Sequence, residues 1–308
     1  FLIYYSLILE REFKIFITFR AVSAAVRLAH RYFSNKSLPG SAVDLLKRAV
    51  TQAAHAREKS VDEKAIIEVA EAQSKIPIDI ASGAETEKLL HLEETIHKKL
   101  VNQETAVSAV SRALREYRSG LSRRGGPIAT FLFVGPTGVG KTELAKILAV
   151  TQFGSKDAMH RFDMSEYQDK QSIFRLIGTP NGERTGALTD AVIENPYSLI
   201  LLDEFEKAHP DILNVFLQVF DDGRLTDSLN RTVGFENTII IATSNAHSEL
   251  IKREIEAGKK MEEVGEEVKK KLTDYFKPEL LNRFSDVIVF RGLNQEEITA
   301  VTRLLLGD

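Results

Sequence analysis

The sequence predicts an α/β fold in which helices cover both faces of a parallel central sheet, preceded by a small all-helical unit. Two observations support this prediction. From about residue 128 onward, short apolar segments rich in β-branched residues alternate with helical segments, which is typical of a parallel sheet. Residues 16–77 instead carry apolar side chains at helical spacing, so the chain should begin with helices alone.

The overall composition is that of an ordinary globular protein. The chain has 308 residues, 43% of them hydrophobic and 28% charged, and a formal net charge of −3. That length allows about two domains with cores of their own. The nearly balanced charge gives no electrostatic reason to expect a nucleic-acid partner.

Cysteine is absent from the sequence, which excludes disulfides, thiolate zinc sites and cysteine nucleophiles. This fits a reducing compartment, and we expect a cytoplasmic protein without a membrane partner. The apolar run over residues 1–9 is too short to span a bilayer and lacks the features of a signal peptide. Its abrupt start, without an initiator methionine, suggests a fragment of a longer protein.

The elements follow in a clear order along the chain. The helical segments of the first unit end before a polar stretch, residues 81–87, which we predict to be the domain boundary. Two further helices are expected at about 87–100 and 103–121, and a charged amphipathic helix at 249–271. Between these, the predicted strands are the segments ATFLFV, MHRFDM, YSLILLDE and NTIIIATSN, separated by helices after residue 142, around residue 170 and at DILNVFLQVF.

The strongest motif is an octapeptide that fits the phosphate-loop pattern G-x-x-x-x-G-K-[ST] and lies between a predicted strand and a predicted helix. Its glycines let successive N–H groups point at phosphate oxygens, and the helix adds the positive end of its dipole. Lys141 is expected to reach the β- and γ-phosphates, and the hydroxyl group of Thr142 to hold Mg²⁺. The octapeptide consists of Gly135, Pro136, Thr137, Gly138, Val139, Gly140, Lys141 and Thr142.

Polar residues close two of the other predicted strands. Asp203 and Glu204 follow an apolar strand, and Asn245 follows the last one. The carboxyl ends of parallel strands are where α/β sheets place ligands. We therefore expect Asp203 to orient Mg²⁺ or its bound water, and Glu204 to polarise the attacking water. Asn245 is expected to hydrogen-bond the γ-phosphate or that water.

Several long segments together resemble the second nucleotide-binding module of the Clp-type AAA+ ATPases, the ring-forming protein unfoldases and disaggregases. The resemblance runs from about residue 90 to residue 291 and includes the Walker A and Walker B motifs. Upstream, LAHRYFSNKSLPGSAVDLL is similar to the small helical lid of the first module in the same family. The segments of the second module are GPTGVGKTELAK, FDMSEY, YSLILLDEFEKAHPDILNVFLQVFDDGRLTD, NTIIIATSN and FKPELLNRFSD.

The resemblance implies further roles and a division of the chain. Arg283 corresponds to the arginine finger that reaches the γ-phosphate in a neighbouring subunit, and Asn245 to the sensor-1 residue. Val101 lies where the family packs against adenine, although Asn102 replaces the usual glycine there. The implied division is a lid of a preceding, absent module at 1–80, a linker at 81–87, a nucleotide-binding subdomain at 88–291 and the start of a second lid at 292–308.

One segment departs from the family. The family carries its central pore loop, a glycine-flanked Tyr-Val-Gly, at the position of residues 177–186, but no aromatic residue stands there and the stretch is shorter. Either the loop is altered or residues are missing from the sequence, and we favour the second explanation. A peptidase partner is doubtful, because the closest match to the peptidase-binding tripeptide is Val264-Gly265-Glu266 in a charged helix. No coiled-coil middle domain is evident between Leu46 and Leu90, and the sensor-2 arginine would fall beyond residue 308.

Three functional hypotheses result. The first is an ATP-hydrolysing protein unfoldase or disaggregase that works as a homo-oligomeric ring, a hexamer, on unfolded or aggregated proteins, with ATP and Mg²⁺ as cofactors. The second is a nucleotide-dependent assembly scaffold, or a regulatory subunit of a peptidase, that does not thread substrate. The third, a nucleic-acid remodeller, is disfavoured by the balanced charge and the lack of a basic stripe.

Overall fold

A computed structural model describes residues 1–33, 37–74, 78, 89–119, 125–180 and 182–307. The chain divides into two compact units, Phe1–Ser82 and Gly83–Asp308. The predicted linker at 81–87 lies outside the described residues, so the proposed domain boundaries stay a prediction. None of the described helices combines the length and the apolar character that a membrane span needs.

In its described residues, the first unit consists mainly of four helices around one apolar core. A parallel pair of two-residue strands adds to this predicted helical arrangement and aligns Ile17 with Val61. Both of these β-branched side chains are buried, and the strand pair joins the segment before α2 to the segment before α4. The elements are α1 (Leu2–Phe13), β1 (Phe16–Ile17), α2 (Phe19–Tyr32), α3 (Gly40–His55), β2 (Ser60–Val61) and α4 (Glu63–Ser74).

The apolar segment at the start of the chain belongs to this unit. It forms α1, and its residues Leu2 and Leu9 are buried in the same core as the other three helices. The next helix, α2, begins at a side-chain cap, because the hydroxyl group of Thr18 accepts a hydrogen bond from the backbone N–H of Ala21 at 3.2 Å.

The second unit contains the predicted parallel sheet. Five strands pair in the order β4-β5-β8-β3-β9, all parallel. Four of them coincide with the predicted strands; the fifth, β9, is an edge strand that the sequence analysis does not predict. The strands are β3 (Ala129–Val134), β4 (Met159–Asp163), β5 (Leu199–Asp203), β8 (Ile239–Ser244) and β9 (Asp286–Val289), with a separate antiparallel hairpin of β6 (Arg224–Thr226) and β7 (Thr232–Gly234).

Helices cover both faces of the sheet, which confirms the predicted fold class. Along β3, Leu132 and Val134 enter one apolar core while Phe131 and Phe133 enter the other, as the two-residue period of a strand requires. The Phe131 and Phe133 core contains α5 (Leu92–His97), α6 (Glu104–Arg118) and α7 (Lys141–Phe153). The opposite core contains α8 (Ile173–Ile177), α9 (Ala187–Glu194), α10 (Pro210–Asp222), α11 (Ser248–Glu256), α12 (Met261–Lys271) and α13 (Pro278–Leu281); α14 (Gln295–Gly307) ends the described chain.

The charged segment at 249–271 is two helices rather than one. It breaks between α11 and α12, where Gly258 adopts a φ of +84°. Most of its charged residues are exposed, but Ile251 and Val264 are fully buried in the core of the second unit. The segment is therefore amphipathic, and its apolar stripe packs against the rest of this unit.

The segment expected to hold the pore loop is a tight turn between α8 and α9. The backbone N–H of Thr179 donates to the carbonyl oxygen of Arg184 at 2.9 Å, which closes the turn. A Cβ atom added at Gly186 would lie 2.4 Å from the carbonyl carbon of Ile177, so the two ends of the turn are in contact. Asn181, within this turn, lies outside the described residues, and the expectation that residues are missing from the sequence here stays a prediction.

Arg231 anchors the β6–β7 hairpin to α9, because it pairs both with the buried Asp227 of the hairpin and with the partly exposed Asp190 on α9. The carboxylate of Asp227 accepts from Arg231 Nε at 2.6 Å, and Arg231 also contacts Asp190 at 2.8 Å. Burial alone would raise the pKa of Asp227, but hydrogen bonds from Arg231 and Leu229 outweigh it and hold this pKa below its usual value. Asp227 therefore stabilises the fold at neutral pH, and this contribution disappears as the pH falls through the lowered pKa.

We expect Asp227→Asn to lower the free energy of unfolding by about 1–3 kcal/mol at pH 7, the cost of losing a hydrogen bond to a buried charged group. Urea denaturation followed by circular dichroism measures this. As the pH falls from 7 through the lowered pKa of Asp227, the difference between wild type and variant should shrink, because the carboxylate is protonated first in the unfolded and then in the folded wild type. Asp190→Asn, the more exposed partner, is the matched control and should cost less. A difference that stays constant with pH would contradict the assignment.

Candidate active site

The phosphate loop connects the buried strand β3 to α7. Its backbone is left-handed at Gly138 and Gly140, where φ is +82° and +104°. No atom lies within 4 Å of an added Cβ at Gly138, so the backbone angle alone requires glycine there. At Gly140, an added Cβ would also lie 2.9 Å from Leu100 Cδ1. At Gly135 it would lie 2.6 Å from the carbonyl oxygen of Phe290, which follows β9.

Lys141 is the first residue of α7 and is only 8% exposed. Its ammonium group donates to the carbonyl oxygens of Gly135 and Pro136, the second at 3.0 Å, and to Asn245 Oδ1 at 2.8 Å. The structure therefore brings together the two ends of the predicted site, the phosphate loop and the residue after β8. All three N–H donors of the Lys141 ammonium group thus have acceptors, and these contacts hold its positive charge beside the phosphate loop.

The electrostatic surroundings of Lys141 favour an anionic ligand. Burial lowers the pKa of Lys141 to about 8, while three nearby carboxylates raise it. Phosphate oxygens beside the ammonium group would favour its charged form, as any close anion does. The three carboxylates, in order of their effect, are those of Glu206, Asp203 and Glu204.

Asp203 is the last residue of β5, and its two carboxylate oxygens have different partners. One accepts from the hydroxyl group of Thr243 on the neighbouring strand β8. The other accepts from Arg161 Nη2 at 2.6 Å, on the opposite neighbour β4. The side chain is 16% exposed, and these two contacts fix it between the neighbouring strands.

Glu204 follows directly and turns the chain out of the sheet with a φ of +54°. The turn is held by the next residue, Phe205, which is fully buried and lies 5.5 Å from Phe216 between ring centroids. Such an aromatic contact adds about 0.5–1.5 kcal/mol beyond burial. The carboxylate of Glu204 pairs with Lys207 Nζ at 2.6 Å.

These groups surround a cavity of about 770 Å³. Its polar lining includes the phosphate loop, Asp203, Glu204 and Asn245. Its lining also includes apolar side chains, among them those of Leu100, Val101, Leu293, Val301 and Leu304. A ligand with a charged tail and a flat apolar head fits this distribution, as a nucleoside triphosphate does.

Comparisons with known proteins agree with this geometry. The family profile described as "AAA domain (Cdc48 subfamily)" matches residues 126–287, and the profile "AAA lid domain" matches residues 6–105. The first match covers more than half of the chain. The chain belongs to the Clp-type AAA+ ATPases. Members of this family have a nucleotide-binding site. In this chain, the phosphate loop lines the cavity described above.

Individual relatives belong to the same type. The chaperone protein ClpB of Meiothermus ruber is 50% identical over 250 residues, which cover 80% of this chain and 29% of that protein. The Clp protease ATP-binding subunit ClpE of Bacillus subtilis is 38% identical and covers 94% of this chain and 49% of its own. A solved Hsp104 complex with casein from S. cerevisiae superposes with a TM-score of 0.89 at 38% identity, covering 98% of this chain and 53% of that chain. The chain thus spans about a third to a half of the relatives it matches.

Most residues predicted for the AAA+ site meet at this cavity. Pro136 is absent from its described lining, as is Gly135, but both supply carbonyl oxygens to Lys141. Arg283 is also absent from that lining and instead pairs with Asp221 at the end of α10, at 2.8 Å. The remaining predicted residues line the cavity: Thr137, Gly138, Val139, Gly140, Lys141, Thr142, Asp203, Glu204, Asn245 and Val101.

The donor set fits a magnesium ion shared with phosphates. Thr142 and Asp203, whose side chains carry oxygen ligands, both line this cavity. Within the described part of the chain, no group of three or more histidine, aspartate and glutamate side chains could hold a metal alone. Mg²⁺ commonly takes one or two protein oxygens and completes its shell with water and phosphate oxygens, so two protein ligands are adequate.

Several polar partners of the site have no sequence signal strong enough to predict them. Arg161 and Lys207 are charged residues on or after strands, and only the strand register brings Arg161 to Asp203. Glu206 Oε1 accepts from the backbone N–H of Asn245 at 3.1 Å. Thr243 could have been found, because a hydroxyl group inside a fully buried strand needs a partner.

Thr243 provides a test of how the carboxylates are positioned. Its hydroxyl group donates to Asp203 and accepts from the backbone N–H of Glu204 at 3.3 Å. We expect Thr243→Val to lower ATP turnover by about tenfold, because both groups lose a buried hydrogen bond at no change in volume. Phosphate release measures turnover, and a fluorescent ADP analogue measures affinity, which should change little.

Thr243→Ser is the control, since it keeps the hydroxyl group and should retain most of the turnover. Urea denaturation of both variants checks that they are folded under the assay conditions. Wild-type turnover in Thr243→Val would refute the positioning role.

Proposed function

We propose that this protein is an ATP-dependent protein unfoldase or disaggregase that acts as a hexameric ring on unfolded or aggregated proteins. The observation that carries the proposal is the convergence of the phosphate loop, Asp203, Glu204 and Asn245 on one cavity, while Arg283 lies elsewhere. We also propose that it acts in the cytoplasm, because a sequence without cysteine fits a reducing compartment.

In this proposal, ATP binds with its phosphates in the loop and its base against the apolar side chains of the cavity lining. Lys141 would exchange its contacts with loop carbonyl oxygens for phosphate oxygens, and its charge would stabilise the transition state. Thr142 and Asp203 would hold Mg²⁺, partly through water, and the ion would neutralise charge on the β- and γ-phosphates. Glu204 would accept a proton from the attacking water, and Asn245 would orient that water or the γ-phosphate.

The position of Arg283 supports the proposal of a ring. Its guanidinium group is held by Asp221 at 2.8 Å and is about one-third exposed. An arginine placed away from its own cavity is available to a neighbouring subunit, where it would stabilise charge on the transferred phosphoryl group. Hydrolysis in such a ring depends on assembly, because each site is completed by the next subunit.

The relatives support the choice of substrate class. Solved Hsp104 structures are described as complexes with casein and with ATPγS, and they match this chain over 98% of its length. We also propose that residues 1–80 are the lid of a preceding module, 88–291 the nucleotide-binding subdomain and 292–308 the start of a second lid.

A second candidate function is a nucleotide-dependent scaffold, or a regulatory subunit of a peptidase, that does not thread substrate. The closed turn between α8 and α9 favours it. This turn carries no aromatic residue, and the contact of its two ends, Ile177 and Gly186, leaves it short. A motor without a gripping side chain would hydrolyse ATP without pulling on protein. Nucleic acid remains a disfavoured partner at a net charge of −3.

The proposed general base gives a direct test of ATP hydrolysis. We expect Glu204→Gln to bind ATP within a few-fold of wild type and to lose at least about 10²-fold in turnover, because the amide cannot accept the proton. Radiolabelled ATP hydrolysis and equilibrium nucleotide binding measure the two quantities. Glu262→Gln, an exposed change on α12, is the control for the loss of one charge and should hydrolyse ATP normally. Unchanged turnover in Glu204→Gln would overturn the assignment.

The two candidate functions differ in mechanical work on a substrate. A fluorescent protein with an unstructured tag should lose fluorescence in the presence of ATP and this protein if it unfolds substrates. No loss is expected with Glu204→Gln. ATP hydrolysis without loss of fluorescence would favour the scaffold, and in that case sedimentation should still show ATP-dependent assembly.

A further inference from the structure

The apolar residues that line the cavity come from two segments far apart in the sequence of the second unit, and we call these segments its near wall and its far wall. The near wall consists of Leu100 and Val101, at the start of the segment that leads into α6. The far wall consists of Leu293 before α14, and Val301 and Leu304 on it. A flat base can be held between these walls only if their separation is fixed.

A polar contact joins the two walls. Asn102 Nδ2 donates to the carboxylate of Glu297, in the first turn of α14. The other end of the same side chain is also used, because Asn102 Oδ1 accepts from the backbone N–H of Gln103 at 2.7 Å. This pattern fixes the orientation of the amide, since a flipped group would face a donor with a donor and a carboxylate with an oxygen.

Glu297 is the centre of a fully partnered cluster. Its carboxylate accepts from both terminal nitrogens of Arg291, at 2.6 and 3.0 Å, a bidentate pair. It also accepts from the backbone N–H of Asn294 at 2.9 Å, and the Asn294 side chain accepts in return, which caps α14. The Glu297 side chain is 13% exposed, so these contacts are largely shielded from water.

The same cluster reaches the phosphate loop. Gln103 is 5% exposed, and its Nε2 donates to the carbonyl oxygens of Arg291 at 3.0 Å and of Val139, in the loop, at 3.3 Å. Asn102 and Gln103 both adopt left-handed backbone angles, with φ of +61° and +65°. Non-glycine residues keep such angles when surrounding contacts hold them. The contacts here are those to Glu297, Arg291 and Val139.

We propose that Asn102 is a positioning residue for the nucleotide base: through Glu297 it fixes the start of α14 against the near wall, so that the far wall stays closed on the base. The proposal rests on the proposed nucleotide site. It assigns to Asn102 a role in retention of the base rather than in hydrolysis. Helix capping and the Arg291 pair account for α14 itself, and the contact from Asn102 is the additional one that joins the walls.

The test uses the full chain and two substitutions of Asn102 that differ in their effect on the backbone. Asn102→Gly removes the contact while relieving the left-handed backbone, so the fold should be as stable as wild type. Asn102→Asp keeps a residue tolerated at this angle but places a second carboxylate beside Glu297. Glu296→Gln is the matched control, because Glu296 is an exposed neighbour in the same helical turn.

The measurements are the dissociation rate of a fluorescent mant-ADP by stopped flow, competition by inorganic triphosphate, and thermal unfolding without nucleotide. Both Asn102 variants should release mant-ADP about tenfold faster, the fold-change for one charge-assisted hydrogen bond. Binding of inorganic triphosphate, which has no base, should stay unchanged, and Glu296→Gln should match wild type in every measurement.

Unchanged mant-ADP release in both Asn102 variants would overturn the proposal. An equal loss of triphosphate binding would also overturn it, because the contact between Asn102 and Glu297 would then support the phosphate loop rather than the walls around the base. Faster release in Asn102→Gly without a lower unfolding temperature supports it against a merely structural role. A wild-type protein that binds no mant-ADP would refute the nucleotide site itself, and with it both proposals.

Discussion

The buried ammonium group of Lys141 is the constraint on which the second unit depends. A charge that is almost removed from water must be surrounded by acceptors, or its burial costs several kcal/mol. Here the acceptors come from the loop itself and from Asn245 after β8, and the neighbouring carboxylates lie on and after β5. The strand order places β8 beside both β3 and β5. This order therefore also brings together the groups that lower the free-energy cost of burying the Lys141 charge.

The fold was predictable where the pattern was long. Strands β3, β5 and β8 are runs of five or six residues that are buried on both faces, and such runs are distinctive next to helical segments. The strand pair β1–β2 and the edge strand β9 are only two and four residues long, which is too short for a period to be recognised. Their pairing is decided by tertiary contacts rather than by local preference.

In the candidate site, too, the local features were predictable and the long-range contacts were not. The phosphate loop, Asp203, Glu204 and Asn245 are predictable because each lies next to its own strand in the sequence. Arg161, Thr243 and the contact between Asn102 and Glu297 depend on register or on segments far apart in the chain, which no local pattern contains. The absence of an aromatic residue between α8 and α9 is visible in the sequence, whereas the hydrogen bond between Thr179 and Arg184 that closes the turn is visible only in the structure.

The close approach of Gly135 to Phe290 has a consequence for how the phosphate site could be built or divided. The backbone carbonyl group after β9 leaves no room for a side chain at the start of the loop, and the N–H of Phe290 donates to Val134 at 2.7 Å. Strand β9, the last strand of the described residues, thus limits the shape of a loop that precedes it by about 150 residues. A nascent or truncated chain without β9 would contain every residue of the phosphate motif but not the surface against which that motif is shaped.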